Sequence, residues 1–476
     1  MMGTPFIHER KTSEALLNCA FIGTENIKQE GGEIFEWIAN MLMLGVGVAF
    51  DTKGAGEVLV SSPRNSASTY LVDDSREGWA RSIKVLVNSY LDGTDVALFD
   101  YSMVRKKGEP IKGFGGVASG PEPLMLCHDR IREYMNKNVG KKITSRTITD
   151  ICNAIGACVV AGNVRRSAEL ALGEADDQDY IALKNYSLEE NKYRQEIGWA
   201  SNNSIIGDGV KQYGAIAENI RNNGEPGVVW LDNISKYGRM GEEKYDNAIG
   251  VNPCSEIGLA SREMCNLSEI YMQNMEDEYD FQRTIKFAYL YSKAITLTYE
   301  WITDSKSRKI MMKNRRVGVG TTAIAQFLGK HSVEDLVGWW DRGYKLIQSY
   351  DDRYSQWLGI PKSIRTTTIK PSGTVSLLAG ATPGIHYPHD NFYIRRVRIQ
   401  DDTPMLTALQ YAGYKIEKDV YSANTSVIEI PIKVEGETSK NKTLWEQLQL
   451  ASLAQRYWSD NSVSVTISFK PSDVTS

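Results

Sequence analysis

The sequence predicts an α/β fold, formed by one large barrel. The chain has 476 residues, of which 42% are hydrophobic and 24% charged, a composition typical of a globular protein with a large core. Segments with strand character alternate with helical segments along the chain. No internal repeat, low-complexity stretch or clear linker interrupts this alternation. Residues 1–476 are therefore expected to form a single α/β barrel domain.

The amino-terminal third supports the alternation. Periodicity and turn residues predict successive segments there: a helix over 33–44, a strand over 45–50, a turn-rich loop over 61–68, a helix over 75–90 and a strand over 95–101. A glycine-rich loop at 113–121 is expected to open a helix near Glu122. A helix over 144–160 then leads into the loop 162–167 and a short strand over 168–170.

The remainder of the chain continues the same pattern. The predicted elements are a helix over 210–222, a strand over 227–231, a long helix over 280–304, a strand entered through the basic stretch 314–320, a helix over 333–358, a strand over 366–369 and a final strand over 462–469. Thr443 and Glu446 have the spacing of a capping box, which predicts a helix from there to Trp458.

Residues 250–268 carry the most unusual chemistry. The pair Asn252-Pro253 favours a turn, and Cys254 and Glu256 are two positions apart, so in an extended segment or a loop tip they point the same way. A thiol, a carboxylate and a carboxamide thus converge, and Cys265 follows eleven positions after Cys254. A buried structural cysteine beside a surface glutamate would show the same pattern, so this motif alone leaves both interpretations open.

Composition excludes several classes of function. The net charge of −4, without a block of like charges, argues against binding to a nucleic-acid backbone. No apolar run is long enough to span a bilayer, and the first residues lack a signal-peptide core. Six scattered cysteines without a CxxC pair, and only five histidines, argue against a secreted disulfide framework and a zinc site. We expect a cytoplasmic protein with reduced cysteines and no metal site.

Three loops are candidates for binding anions. The turn from Lys370 to Val375 follows a predicted strand and offers free amides and two hydroxyl groups, which suits a phosphate. The glycine-rich loop 113–121 and the loop containing Arg165 and Arg166 also have residues that bind anions. A purely structural turn or helix cap explains either of these two loops equally well.

Taken together, the motifs resemble the catalytic subunit of ribonucleotide reductase, in particular the class II, adenosylcobalamin-dependent ribonucleoside-triphosphate reductases. The resemblance runs from about Ser13 to Phe469. Each motif is weak alone, but their shared order is specific. The motifs that carry it are Asn18-Cys19, the loop 113–121, and residues 162–173, 176–179, 199–203, 223–227, 252–267, 370–375, 380–386 and 458–463.

The resemblance implies a ten-stranded α/β barrel with a finger loop, 250–268, that carries the radical cysteine. Cys254 would become a thiyl radical and abstract the 3′-hydrogen of a ribonucleotide. Glu256 would accept the proton of the 3′-hydroxyl group, and Asn252 would hold the ribose hydroxyls. Cys19 and Cys265 would supply the reducing equivalents and finish as a disulfide, which predicts that they lie close together.

The resemblance also implies binding sites and partners. Adenosylcobalamin would be the cofactor, and the partners would be a ribonucleoside triphosphate, a deoxynucleotide effector and a thioredoxin-type reductant. The expected substrate-binding residues are Asn18, Ser255, Pro371, Ser372, Gly373, Thr374 and Val375. The expected effector-binding residues, within the specificity loops of 113–173, are Gly113, Gly115, Gly116, Arg165 and Arg166.

The chain departs from the family pattern in three places. Cys19 lies almost at the start, and no cysteine follows Cys265, whereas the family has a carboxy-terminal cysteine pair that re-reduces the site. The stretch from Gly47 to Gly113 is expected to be shorter than the insertion of monomeric members. The barrel is therefore expected to be incomplete at both ends. Two alternatives follow: a class I type subunit with a separate radical-generating partner, and a nucleotide-binding fragment of a split reductase that needs a companion chain.

Overall fold

The computed structural model describes residues 4–111, 117–161, 168–209, 213–373, 375–401, 403–419 and 425–469. In these ranges, helices and strands alternate as the sequence predicts for an α/β protein. None of the helices described is long and apolar enough to cross a membrane.

The described strands fall into a large mixed sheet and smaller sheets. Their bounds are β1 Cys19–Ile22, β2 Gly47–Asp51, β3 Arg64–Leu71, β4 Asp95–Asp100, β5 Glu169–Glu174, β6 Ser201–Ile206, β7 Gly227–Val229, β8 Gly250–Val251, β9 Gly258–Leu259, β10 Glu263–Tyr271, β11 Val317–Thr322, β12 Thr367–Thr368, β13 Phe392–Gln400, β14 Lys415–Lys418 and β15 Thr425–Lys433.

The described helices range from single turns to a 26-residue helix. Their bounds are α1 Pro5–His8, α2 Ile27–Glu30, α3 Glu33–Met43, α4 Arg76–Leu91, α5 Glu122–Lys137, α6 Ser145–Ala161, α7 Gln178–Ile181, α8 Gly214–Asn223, α9 Leu231–Lys236, α10 Glu278–Ile295, α11 Ser305–Asn314, α12 Ile324–Leu328, α13 Val333–Leu358, α14 Pro404–Tyr411 and α15 Leu444–Tyr457.

The large sheet has eight strands in the described residues, in the order β12-β11-β10-β1-β2-β5-β6-β7. Strands β1, β2, β5, β6 and β7 run parallel to one another, and so do β10, β11 and β12. The two blocks meet at β1 and β10, which pair antiparallel. This junction places the first strand of the chain beside a strand that begins more than 240 residues later.

Two of the three apolar cores in the described residues support the two blocks, and the third lies around Cys19, Ile257 and Cys265. The first packs helices α3, α4, α5 and α6 against β1, β2 and β5, with Phe35, Leu86 and Ile155 fully buried. The second lies among α10, α13, α15 and β11, around Trp340 and Trp458. Strands covered by helices are buried on both faces, and this accounts for the continuous apolar run in β2.

Many predicted elements are confirmed, and three need correction. The predicted loop 61–68 contains the start of β3, because pairing with β4 outweighs its turn-forming residues. The predicted helix 280–304 ends at Ile295 and continues as a 3-10 turn over Thr296–Trp301. The predicted strand 462–469 is limited to a bridge between Ile369 and Val463, since further along Ser468 bonds to the side chain of Gln447.

Candidate functional site

The junction of β1 and β10 brings two cysteines together. Cys19 and Cys265 are direct partners in the antiparallel register, and residues opposite each other in such a pair have Cα atoms about 4.5–5.5 Å apart. Both thiols are buried and free. Contact with the Cys19 thiol, together with burial, raises the pKa of Cys265 well above its usual range. The predicted proximity of the two cysteines is therefore confirmed.

The finger loop is a short hairpin between β8 and β9. Its base is closed by hydrogen bonds from Asn252 N to Ile257 O, 3.0 Å, and from Ile257 N to Asn252 Oδ1, 2.9 Å. Ser255 has a φ of 64°, which turns the chain sharply at the tip. The backbone at Glu256 is held by two donors, Thr368 Oγ1 at 3.0 Å and Ser462 N at 2.9 Å. The loop is thus fixed by its own base and by two neighbouring segments that bond to the Glu256 carbonyl.

Glycines make room for the finger loop. A Cβ atom at Gly318 of β11 would lie 3.0 Å from the side chain of Ile257 and 2.4 Å from that of Leu267. A Cβ atom at Gly47 would lie 3.2 Å from Pro253. Because side chains at these two positions would crowd the loop, the glycines that the sequence shows in β2 and β11 have a packing reason.

Glu256 and Asn252 have polar atoms without partners in the described structure. Glu256 Oε2 and Asn252 Nδ2 are both buried and make no hydrogen bond there. Burial raises the pKa of Glu256, while contact with Asn252 and the nearby charge of Lys370 oppose that rise. Buried polar atoms usually have partners, so an exception in a site of this kind indicates a place for a ligand. The two side chains are suited to bind a polar group and to accept its proton.

Cys254 is exposed at the tip of the finger loop, whereas the other five cysteines are buried. Protein nevertheless surrounds the thiol closely enough that desolvation, with the nearby Glu256 and Cys19, raises its pKa. The thiol therefore remains protonated at neutral pH, and it lies near both the carboxylate and the cysteine pair. A protonated and accessible thiol can donate a hydrogen atom.

The turn predicted to cradle phosphate follows β12. Ser372 has a φ of 54°, and its Oγ is buried without a partner in the described structure. Gly373 is exposed, and a Cβ atom there would meet nothing within 4 Å. The Gly373 carbonyl accepts a hydrogen bond of 2.8 Å from Arg395, and the Val375 carbonyl accepts one of 3.1 Å from Tyr271. The open turn has room for an anion beside Gly373.

Asn18 and Pro371 complete the described substrate candidates. Asn18 is exposed next to Cys19, and its Oδ1 accepts a hydrogen bond of 2.9 Å from Leu267 N. Its side-chain amide group is thus oriented by β10. Pro371 lies between Lys370 and the buried Ser372. Thr374 lies outside the described residues.

Sequence reasoning missed three charged residues at the site. Lys370 was seen only as the start of the turn, yet its Nζ lies 3.1 Å from Glu269 Oε2 on β10. Burial raises the pKa of Glu269 to about 7. Arg395 reaches the turn from β13, in an antiparallel sheet that the sequence did not predict. The alternation of polar and apolar residues in 392–400 was the available signal for that sheet.

The effector-binding candidates Gly113, Gly115, Gly116, Arg165 and Arg166 lie outside the described residues. Next to the ends of their loops, however, the structure has a cavity of about 180 Å³. Its lining includes Asp74, Arg76, Trp79, Ser119 and Cys158. The cavity lies between α4, the start of α5 and the end of α6, away from the finger loop.

Comparisons with known proteins match this architecture. The family described as "B12-dependent ribonucleotide reductase, insertion domain" matches residues 52–134, and the family described as "Ribonucleotide reductase, barrel domain" matches residues 210–334. A crystal structure of a B12-dependent (class II) ribonucleotide reductase is similar with a TM-score of 0.84 and 32% identity. The match covers 99% of this chain and 77% of the chain in that crystal structure.

Curated relatives agree. A probable adenosylcobalamin-dependent ribonucleoside-triphosphate reductase of Dictyostelium discoideum is 45% identical over 96% of this chain and 63% of its own length. An adenosylcobalamin-dependent ribonucleoside-triphosphate reductase of Euglena gracilis is 43% identical over 99% of this chain and 65% of its own length. One of Lactobacillus delbrueckii subsp. bulgaricus is 35% identical over 98% and 74%. The chain thus spans less than two thirds of the length of the first two relatives.

Fold and site together define a ribonucleotide-reductase barrel with its finger loop. The chain belongs to the class II ribonucleotide reductase family, as its relatives and the similar solved structure show. The match to the insertion domain at residues 52–134 also bears on the stretch after Gly47. The match covers this stretch, and its length relative to that of monomeric members stays a prediction.

Proposed function

We propose that the chain carries the catalytic site of an adenosylcobalamin-dependent ribonucleoside-triphosphate reductase, which converts ribonucleotides to 2′-deoxyribonucleotides. The observation that carries the proposal is the meeting of Cys254, Glu256 and the Cys19–Cys265 pair in one place. Removing a 2′-hydroxyl group as water consumes two electrons and two protons. Two adjacent thiols supply both when they become a disulfide.

Each residue has a role that its environment supports. Cys254, accessible at the loop tip, exchanges a hydrogen atom with C3′ of the substrate. Glu256, with a free and buried Oε2, accepts the proton of the 3′-hydroxyl group. Asn252, with its free Nδ2, donates a hydrogen bond to a ribose hydroxyl. Asn18 and Ser255 border the same position, the first beside Cys19 and the second at the loop tip.

The substrate phosphates would bind at the turn after β12. Backbone amides and the hydroxyl groups of Ser372 and Thr374 supply donors, and Gly373 leaves the backbone open to an anion. Pro371 and Val375 bracket the turn. Arg395 brings a positive charge next to Gly373, which favours a triphosphate over a less charged ligand.

The residues present fit the proposed cofactor. A radical-generating cofactor needs an accessible hydrogen donor, and Cys254 is the exposed cysteine of the chain. Adenosylcobalamin, when bound, supplies the radical chemistry that a protein side chain cannot start alone. The role of this chain's own residues is to keep the Cys254 thiol protonated and unbonded to the nearby Cys19–Cys265 pair.

We propose further partners for the same protein. A deoxynucleotide effector would bind in the cavity lined by Arg76, Trp79 and Ser119, next to the loops that contain Gly113, Gly115, Gly116, Arg165 and Arg166. A thioredoxin-type reductant would restore the Cys19–Cys265 thiols. A companion chain would be a third partner. A thiol reductant and a reduced cysteine pair fit the cytoplasm, where thiols are kept reduced.

An activity assay tests the proposal. The purified chain is incubated with adenosylcobalamin, a ribonucleoside triphosphate and dithiothreitol, and deoxynucleotide is measured by chromatography. We expect product that depends on all three additions and increases with a deoxynucleotide effector. Product formed without adenosylcobalamin but dependent on an added metal-containing subunit would instead support the class I alternative, which the B12-dependent insertion domain at 52–134 disfavours.

A further inference from the structure

Three charged side chains meet beside the thiols of the site. Glu256 lies at the finger tip, Glu269 on β10, and Lys370 directly after the bridging residue Ile369. Lys370 Nζ lies 3.1 Å from Glu269 Oε2, and the two side chains are only 15% and 4% exposed. The same ammonium group acts electrostatically on Glu256 and on Cys254. Thr368, two residues before Lys370, donates a hydrogen bond of 3.0 Å to the Glu256 carbonyl, so the segment that leads to Lys370 lies against the finger tip. One largely buried cation is therefore paired with Glu269 and acts on Glu256.

The ion pair crosses over strand β11. Gly320 pairs in register with Glu269 on one side and with Thr368 on the other, so it lies between the two partners. A Cβ atom at Gly320 would lie 3.3–3.4 Å from the Glu269 carboxylate. Gly320 shares a face of β11 with Gly318, which contacts the finger loop. The missing side chain leaves the carboxylate room to lie over the strand.

The charged and titratable groups around Glu256 come from several elements. Cys254 shares its loop, Cys19 belongs to β1, Cys265 and Glu269 belong to β10, and Lys370 follows β12. Arg316 acts on Cys265, but its guanidinium group is paired with Asp246 and Glu263. Among these neighbours, Lys370 is the cation that acts on Glu256.

We infer that Lys370 is a positioning residue that keeps Glu256 ionised for its role as a base, and that Glu269 holds the Lys370 ammonium group in place. This rests on the proposed function, because it assigns a partner to the proposed base. A buried carboxylate without a nearby cation takes up a proton, and a protonated Glu256 cannot accept the 3′-hydroxyl proton. Because the Glu269 side chain is itself buried, its Oε2, 3.1 Å from Lys370 Nζ, holds the ammonium group beside the site.

The test measures the ionisation of Glu256 directly. Infrared difference titration follows the carboxyl band of Glu256, identified by subtracting the spectrum of the matching Glu256→Gln protein. Lys370→Met is expected to raise the midpoint of this band by about one pH unit or more. Lys370→Arg, which retains the charge, is expected to restore it to within about 0.3 unit. Lys345→Met removes an exposed lysine paired with Asp341 and serves as the control, with an unchanged midpoint.

An unchanged Glu256 midpoint in Lys370→Met would overturn the inference. Lys370→Gln removes the same charge with a polar side chain and repeats the test if the methionine variant does not fold. In an activity assay, the acid limb of the pH profile of kcat/KM should also move to higher pH in Lys370→Met.

The two proposals fail in different ways. A Lys370-dependent midpoint in a chain that forms no deoxynucleotide under the assay conditions supports the positioning role and contradicts the proposed function. If the chain forms deoxynucleotide and the titration midpoint of Glu256 is the same with and without Lys370, the proposed function is supported and the positioning role is contradicted.

Discussion

The barrel interior and the helical region of α4 to α6 each bring two buried cysteines into contact. Cys19 and Cys265 face each other across β1 and β10, and Cys127 and Cys158 meet between α5 and α6. In both pairs, contact and burial raise the pKa of a thiol, Cys265 in one and Cys127 in the other. Contact between two thiols therefore does not define a redox site.

The surroundings distinguish the two regions. Beside the barrel pair lie the exposed thiol of Cys254 and the free polar atoms of Glu256 and Asn252. In the helical region, by contrast, both ring nitrogens of His128 have partners, Ser82 Oγ at 3.0 Å and the hydroxyl group of Tyr101 at 2.7 Å. Unsatisfied polar atoms beside an exposed thiol indicate a site for a ligand, whereas the fully bonded ring of His128 indicates packing around that side chain.

The largest expected effect is that of Cys254→Ser. A hydroxyl group preserves the packing at the loop tip but does not form the carrier radical, so deoxynucleotide formation should fall below about 0.1% of the parent value. Nucleotide affinity, measured by calorimetry, should stay within about twofold. The matched control is Cys152→Ser, a buried cysteine of α6 in the helical region, which should retain turnover. Substantial turnover by Cys254→Ser would contradict the assignment of Cys254 as the residue that carries the radical.

The next prediction compares the effect on turnover of one substitution in each cysteine pair. Cys265→Ser should lower turnover with dithiothreitol by about a hundredfold or more, because the substrate can no longer draw two electrons from adjacent thiols. Cys127→Ser should stay within about twofold, since its pair only packs α5 against α6. Equal losses in the two variants, at equal stability, would show that the barrel pair has no special role.

The sequence allowed much of the site to be predicted, because the chemistry of the site is concentrated in short motifs. Asn252, Cys254, Glu256 and Cys265 lie within fourteen consecutive residues. The finger loop orients the first three, and Cys265 lies on β10. Cys19 is different. Its pairing with Cys265 depends on the register of two strands far apart in sequence, and only the family resemblance suggested it.

The features of the fold and the site that the sequence did not predict depend on tertiary contacts. Lys370 and Glu269 meet because Gly320 leaves space between them, a relation across three strands that has no signal in local sequence. The antiparallel sheet of β13, β14 and β15 was missed because its strands show mixed polarity and lie partly exposed. Beyond its bridge to Ile369, the segment expected as a strand over 462–469 bonds through its backbone to the side chains of His386 and Gln447 instead of a neighbouring strand.

A smaller effect is expected from Gly373→Val at the turn after β12. The added side chain would occupy the space where the backbone approaches a phosphate, so substrate affinity should fall about tenfold, or about 1.4 kcal/mol. Stability should not change, because a Cβ atom at Gly373 meets nothing within 4 Å. Calorimetry should show effector affinity, assigned to the cavity of the helical region, within about twofold of the parent.

Gly214→Val at the exposed start of α8 is the control for that substitution, since a Cβ atom there also meets nothing within 4 Å. This variant should bind substrate and effector like the parent. A parallel loss of both affinities in Gly373→Val would instead indicate that Gly373 only shapes a turn.

The smallest expected effect is on stability, with opposite pH dependence in the two regions. Burial lowers the pKa of His128 to about 3 and raises that of Glu269 to about 7. Below pH 6.5 the unfolded chain binds a proton at His128, whereas the folded region does not bind it until about pH 3. The stability around α5 therefore falls as pH falls. Above pH 4.5 the unfolded chain releases a proton that folded Glu269 retains up to about pH 7, so stability around β10 falls as pH rises.

Hydrogen exchange resolves the two regions separately. Between pH 6.5 and 5, protection of α5 peptides should weaken by up to about 2 kcal/mol, since each pH unit contributes about 1.4 kcal/mol per proton. Between pH 5 and 7, protection of β10 peptides should weaken by about 1–2 kcal/mol. His128→Gln should remove the first dependence without the second, and Glu269→Gln the reverse. If one variant changed both, the two regions would unfold as a single cooperative unit, and the contrast between them would not extend to stability.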